Sequence, residues 1–102
     1  MKTITSFAKQ FKLYNTDKWV WFNGAIGLEA ALMNNYIENS RENAIQKMAN
    51  RDGISYEEVD NNYRDWYYII PVDELNDDEL NEYGDKYFEN IIEDGNNVWQ
   101  MK

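Results

Sequence analysis

The stretch Ser40 to Trp66, SRENAIQKMANRDGISYEEVDNNYRDW, constrains the fold most, because its caps and its turn each have one structural use. Ser40 can cap a helix in which Ala44, Ile45, Met48 and Ala49 recur as an apolar stripe. Gly53 supplies the left-handed residue that ends such a helix. Ser55 caps a second helix, with Glu58 at the spacing of a capping box and Val59, Tyr63 and Trp66 facing inward. Two short helices joined by a tight turn are expected.

The segment Ala44 to Tyr63 resembles a helix-turn-helix. Ala49 stands where that family has a small residue, Gly53 follows at the turn, Ile54 packs beneath it, and Val59 is the apolar residue of the second helix. The likeness covers only this part of the chain and departs at Asn62, where a further apolar residue is expected. It implies a second helix that enters the major groove. Charge argues against that use, because affinity for duplex DNA comes largely from Lys and Arg displacing counterions. The second helix offers Glu57, Glu58, Asp60 and Asp65 against one Arg64.

The same imbalance runs through the chain. Net charge is −9 over 102 residues. Residues 1–50 hold six basic and four acidic side chains, a balance of +2, and residues 51–102 hold four and fifteen, a balance of −11. The acidic half spans residues 52–94, where only Arg64 and Lys86 oppose the acids. A basic partner is implied, or one that ordinarily holds a polyanion.

An aromatic content of 16% and a hydrophobic content of 43% set the chain apart from disordered polyanions and allow a packed core. A single globular domain over residues 1–102 is expected. Cys and His are both absent, which removes disulfides, zinc sites of thiolate and imidazole, and every His-based triad. No signal-peptide core or bilayer-length apolar run is present, so a soluble, cytoplasmic protein is expected.

Along the chain, Ile4 to Tyr14 reads as a short helix through Phe7, Phe11 and Tyr14, capped by Thr3, Thr5 or Ser6. A hairpin of Gln10–Tyr14 with Lys18–Phe22 is the competing reading. Lys18 to Asn23 is strand-like, and Gly24 to Asn39 reads as the central core helix on Ala25, Leu28, Leu32 and Tyr36. Trp66 to Ile70, ended by Pro71, can pair with Trp19–Phe22. From Val72 the acidic stretch carries an imperfect helical stripe from Leu75 to Ile92, interrupted at Gly84. The tail from Gly95 to Lys102 is a last strand or a docked extension, with a hairpin of Tyr87–Ile92 and Val98–Met101 as the alternative. The fold class expected is α+β, mostly helical, with a minor short-stranded sheet.

The acids can be read in several ways. On helices, carboxylates three and four apart lie about 5–6 Å from one another and can imitate a row of phosphates. The bland reading is a solvated face that keeps the protein soluble. A calcium loop is poorly matched by DELNDDELNEYGD, where Leu75, Leu80 and Tyr83 break the alternation of oxygen ligands. Paired carboxylates such as Glu57 with Asp60, or Glu89 with Glu93, lack any sign of the buried cleft that acid–base work requires. No enzyme activity, metal or cofactor is therefore expected.

The residues expected to meet a partner are Glu57, Glu58, Asp60, Asp65, Asp73, Glu74, Asp77, Asp78, Glu79, Glu82 and Asp85, with Tyr56 and Tyr67 as aromatic anchors. In size, acidity and lack of catalytic groups the chain is similar to the anti-CRISPR and antirestriction DNA mimics of phages and mobile elements, a likeness of type that carries no motif. It implies an inhibitor that blocks the channel of a basic nucleic-acid-binding protein, such as a CRISPR effector or a restriction enzyme. The host cytoplasm is the compartment implied if a phage encodes it, with no direct nucleic-acid binding and no membrane. The alternatives are an acidic adaptor or immunity-type protein without mimicry, and a helix-turn-helix regulator that binds DNA through Lys2, Lys9, Lys12 and Lys18.

Overall fold

The computed structural model describes residues 6–102, which group into two compact units, one of residues 17–74 and one of residues up to Thr16 together with Leu75–Lys102. In chain order the elements are α1 (Phe7–Tyr14), β1 (Trp19–Asn23), α2 (Gly27–Met33), β2 (Ile37–Glu38), α3 (Arg41–Asp52), α4 (Tyr56–Asn61), β3 (Tyr67–Pro71), a 3-10 turn (Val72–Glu74), α5 (Asp77–Tyr87), β4 (Phe88–Glu93) and β5 (Asn96–Met101). The class is α+β. Among the described residues helix accounts for 48% and strand for 26%, so the expectation of a mostly helical chain slightly overstates the helix.

In the unit of residues 17–74, β1 is the middle strand of an antiparallel sheet ordered β2-β1-β3. Val20 pairs with Ile70, Trp21 with Ile69 and Asn23 with Tyr67, so the expected partnership of these two aromatic runs is present. Trp21 and Ile69 share a core with Ala44, Ile45, Met48 and Ala49 of α3 and Val59 of α4. Ile45, Met48, Val59 and Ile69 are fully buried, each worth about 1.5–3 kcal/mol relative to exposure. Trp21 also stacks on Tyr36 with ring centroids 4.0 Å apart.

The two helices read between Ser40 and Trp66 form with the expected caps. The Ser40 hydroxyl accepts from the Asn43 N–H and the Ser55 hydroxyl from the Glu58 N–H, each at 3.1 Å. Gly53 ends α3 at φ 67°, its N–H donating to the Ala49 carbonyl. The second helix is shorter than expected and stops at Asn61. The Asn62 side chain donates to the Glu58 carbonyl at 2.7 Å, and Arg64 at φ 71° turns the chain toward β3. Tyr63 and Trp66 therefore lie beyond the helix, Trp66 being 48% exposed.

The core helix expected over Gly24–Asn39 is likewise cut down, to Gly27–Met33, with β2 in its second half. Asparagines do the cutting. The Asn34 side chain donates to the Ala30 carbonyl at 2.8 Å, and Asn35 takes up φ 57°, a left-handed conformation that asparagine tolerates. Upstream, Asn23 accepts from the N–H groups of Ala25 and Ile26, both at 2.9 Å, which delays the helix start.

The other unit packs α1 against α5 and adds the β4–β5 hairpin. Ser6 caps α1 by accepting from the Lys9 N–H at 3.1 Å. The expected start at Ile4, with caps Thr3 or Thr5, lies outside the described residues, as does Lys2. The competing hairpin of residues 10–22 does not form, since β1 pairs with β2 and β3 instead.

Helix α5 runs through Gly84 without interruption. A Cβ there would strike Phe7, with the ring Cδ1 only 2.8 Å away. The glycine thus serves close packing, and Phe7 sits among Phe11, Tyr83, Phe88 and Trp99 with ring centroids 4.7–6.0 Å from its own. Phe88, Ile91 and Ile92 do not extend the helical stripe; they form β4, and the hairpin reading of this region holds. Asp94 at φ 51° and Gly95 at φ 79° make the two-residue turn, with both central residues left-handed as a type I′ hairpin requires.

Candidate functional site

On α5 the buried residues Leu80, Tyr83 and Gly84 fix which way the carboxylates point. Asn81 accepts from the Ala8 N–H at 2.9 Å and so also belongs to the packed side. Asp78, Glu82 and Asp85, at four- and three-residue spacing, share the opposite face and are exposed, with exposed Glu79 beside them. None of these four forms an ion pair among the described residues. The nearby bases are otherwise engaged: Lys102 donates to the Asp85 main-chain carbonyl at 3.1 Å, and the Lys86 ammonium lies 5.2 Å from the Tyr87 ring centroid.

Asp77 differs, because Lys12 of α1 bridges to it. In the unit of residues 17–74, Asp60 is bridged by Arg41 at 2.7 Å, and that hydrogen bond holds the Arg41 guanidinium still further above its ordinary range. Both bases come from the first half of the chain, so two of the expected contact acids are already neutralised. Glu57, Glu58, Asp65, Asp73 and Glu74 are exposed in this same unit. Glu74 faces the charge of Arg64, whose guanidinium carbon lies 5.1 Å from the Tyr63 ring centroid.

Tyr56 and Tyr67 are half-buried and packed against the core of residues 17–74. Burial first, then the Asp52 and Glu58 carboxylates, push the Tyr67 phenol above its ordinary value. The large apolar side chains that stand out in solvent in the other unit are Leu13 and Tyr14 at 70% exposure, Ile92 at 67% and Met101 at 62%. Two of them, Ile92 and Met101, lie on the hairpin, where the sequence FENIIE does not alternate and so gave no signal of which side chains would face solvent.

Position within the helices also accounts for several acids. Glu57 and Glu58 occupy the first turn of α4, Asp73 and Glu74 follow Val72 in the 3-10 turn, and Asp77, Asp78 and Glu79 fill the first turn of α5. In α4 and α5 carboxylates at these positions complement the helix dipole, worth about 0.3–1 kcal/mol each. Glu82 and Asp85 have no such local benefit, which makes them the most telling members of the row. Among the described residues no group of three or more ligand-type side chains could hold a metal ion, and no helix is long and apolar enough to cross a membrane.

No protein-family model matches the chain, and no similar protein was found among the curated proteins or the solved structures.

Proposed function

We propose that this chain binds a basic, nucleic-acid-handling protein and occupies the surface which that protein offers to phosphates. It would act as an inhibitor of anti-CRISPR or antirestriction type in the cytoplasm of a host cell, without catalysis. The observation that carries the reading is the outward row Asp78, Glu82 and Asp85 on α5, flanked by Glu79 and free of ion pairs among the described residues. Side chains about 5–6 Å apart on a rigid helix offer negative charge at a spacing a phosphate-binding groove can accept, and the net charge of −9 steers the encounter.

The test is capture from a host lysate at low and high salt, followed by displacement with duplex DNA. Capture should weaken as the Debye length falls from about 10 Å at 0.1 M to about 3 Å at 1 M. Duplex DNA should displace the captured protein, and the combined change Asp78→Asn, Glu82→Gln and Asp85→Asn should abolish capture while leaving the fold intact. If excess duplex displaces nothing, mimicry is wrong.

A second reading, an acidic adaptor or immunity-type protein, draws on the exposed Leu13, Tyr14, Ile92 and Met101, which mimicry of phosphates does not use. It predicts capture that survives both duplex and salt. A helix-turn-helix regulator that binds DNA through Lys2, Lys9, Lys12 and Lys18 has less to support it, since Lys12 is bridged to Asp77 and α4 exposes Glu57, Glu58 and Asp60. A mobility shift by the protein alone would revive it.

A further inference from the structure

The β4–β5 hairpin has two outer edges, and the chain treats them differently. Lys102 N–H donates to the Tyr87 carbonyl at 3.0 Å, which sets the alternation of the ladder: Glu89 with Gln100 and Ile91 with Val98 exchange bonds, while the backbone groups of Asn90, Ile92 and Trp99 point outward. On the β5 side the Gln10 carboxamide meets Trp99 with both of its ends. Its nitrogen donates to the Trp99 carbonyl at 3.3 Å, and its oxygen accepts from the Trp99 N–H at 3.2 Å. A side chain thus supplies the pair of bonds that a neighbouring strand would make.

On the β4 side no main-chain or side-chain group among the described residues meets the outward N–H and C=O of Asn90 and Ile92. This edge has no lysine, proline or bulge, the usual guards against strand addition. Its side chains select by charge instead. Glu89 and Glu93 are exposed, two positions either side of Ile91 on one face of the strand. Two copies joined along β4 would bring these carboxylates against each other, which disfavours self-pairing. A strand bearing Lys or Arg at the facing positions would instead be attracted, with apolar residues between them meeting the exposed Ile92.

We propose that β4 accepts an extended segment of a partner protein as a third strand, one in which basic and apolar residues alternate. The proposal rests on the reading of a basic partner and adds how one of its segments is held. The test is an amide-resolved NMR titration of the whole chain with a short acetylated and amidated peptide of alternating lysine and valine. A peptide of the same composition with the lysines and valines in two blocks serves as control.

The alternating peptide should shift the Asn90 and Ile92 amide resonances, slow their hydrogen exchange, and bind at least about tenfold more tightly than the block peptide. Asn90→Pro removes one outward N–H at an edge position and should lower that affinity about tenfold. If the variant loses β5 amide protection, the wild-type titration alone decides. Equal affinity for both peptides with the shifts confined to α5 would overturn the proposal, as would pairing of β4 with a second copy. Because the peptide replaces the native partner, strand addition can hold while duplex DNA fails to compete, or fail while duplex competes.

Discussion

Phe7 meets a backbone with no side chain at residue 84, and this is what lets α1 lie close against α5. Gly84→Ala sets two effects of opposite sign against each other. Alanine gains up to about 1 kcal/mol of helix propensity, while a methyl group forced against the Phe7 ring costs about 1–3 kcal/mol. Aromatic rings crowd Phe7 on several sides, so it has little room to yield, and the net change expected is a loss of about 1–2 kcal/mol, read from urea denaturation. Phe7→Leu in the same background should recover part of it. A gain in stability would show that the ring moves aside. Asn62 gives a similar lesson: it stands where the helix-turn-helix pattern has an apolar residue, and here its amide closes the last turn of α4.

Gln10 does for β5 what a strand would do, and the hairpin depends on it because two strands alone are marginal in water. Gln10→Ala should destabilise the unit containing α1 and α5 by about 1–2 kcal/mol, with faster amide exchange at Trp99 and its neighbours as the readout. Unchanged exchange at Trp99 would mean that the carboxamide bonds contribute nothing. Features written in adjacent residues were legible beforehand: the serine caps, the end of α3 at Gly53, and the strand character of Trp19–Phe22 and of Trp66–Ile70, where the strand runs from Tyr67 to Pro71. What could not be read depends on residues distant in sequence or on competing side-chain bonds. Gly84 looked like a helix breaker because Phe7 was not known to be its neighbour, and Asn34 and Asn35 ended an otherwise well-patterned helix. For the acids, exposure was legible, whereas the pairing of Asp60 with Arg41 and of Asp77 with Lys12 required the fold.

With a charge of −9 and few ion pairs among the described residues, the folded chain repels itself. Sodium chloride should therefore raise the thermal midpoint between about 0.01 and 0.5 M as the Debye length shrinks from about 30 Å toward a few ångströms. The same salt should weaken capture by a basic partner, so folding and binding respond with opposite signs. A falling midpoint would indicate that the Lys12–Asp77 and Arg41–Asp60 bridges outweigh the repulsion, against the usual small value of exposed pairs. The unit that carries the α5 row is assembled from segments on either side of residues 17–74. During synthesis those intervening residues can close as they leave the ribosome. Helix α1 must wait, with the greasy side of Phe7 and Ala8 unsheltered, until α5 and the hairpin have been translated, and in that interval a chaperone has its opening.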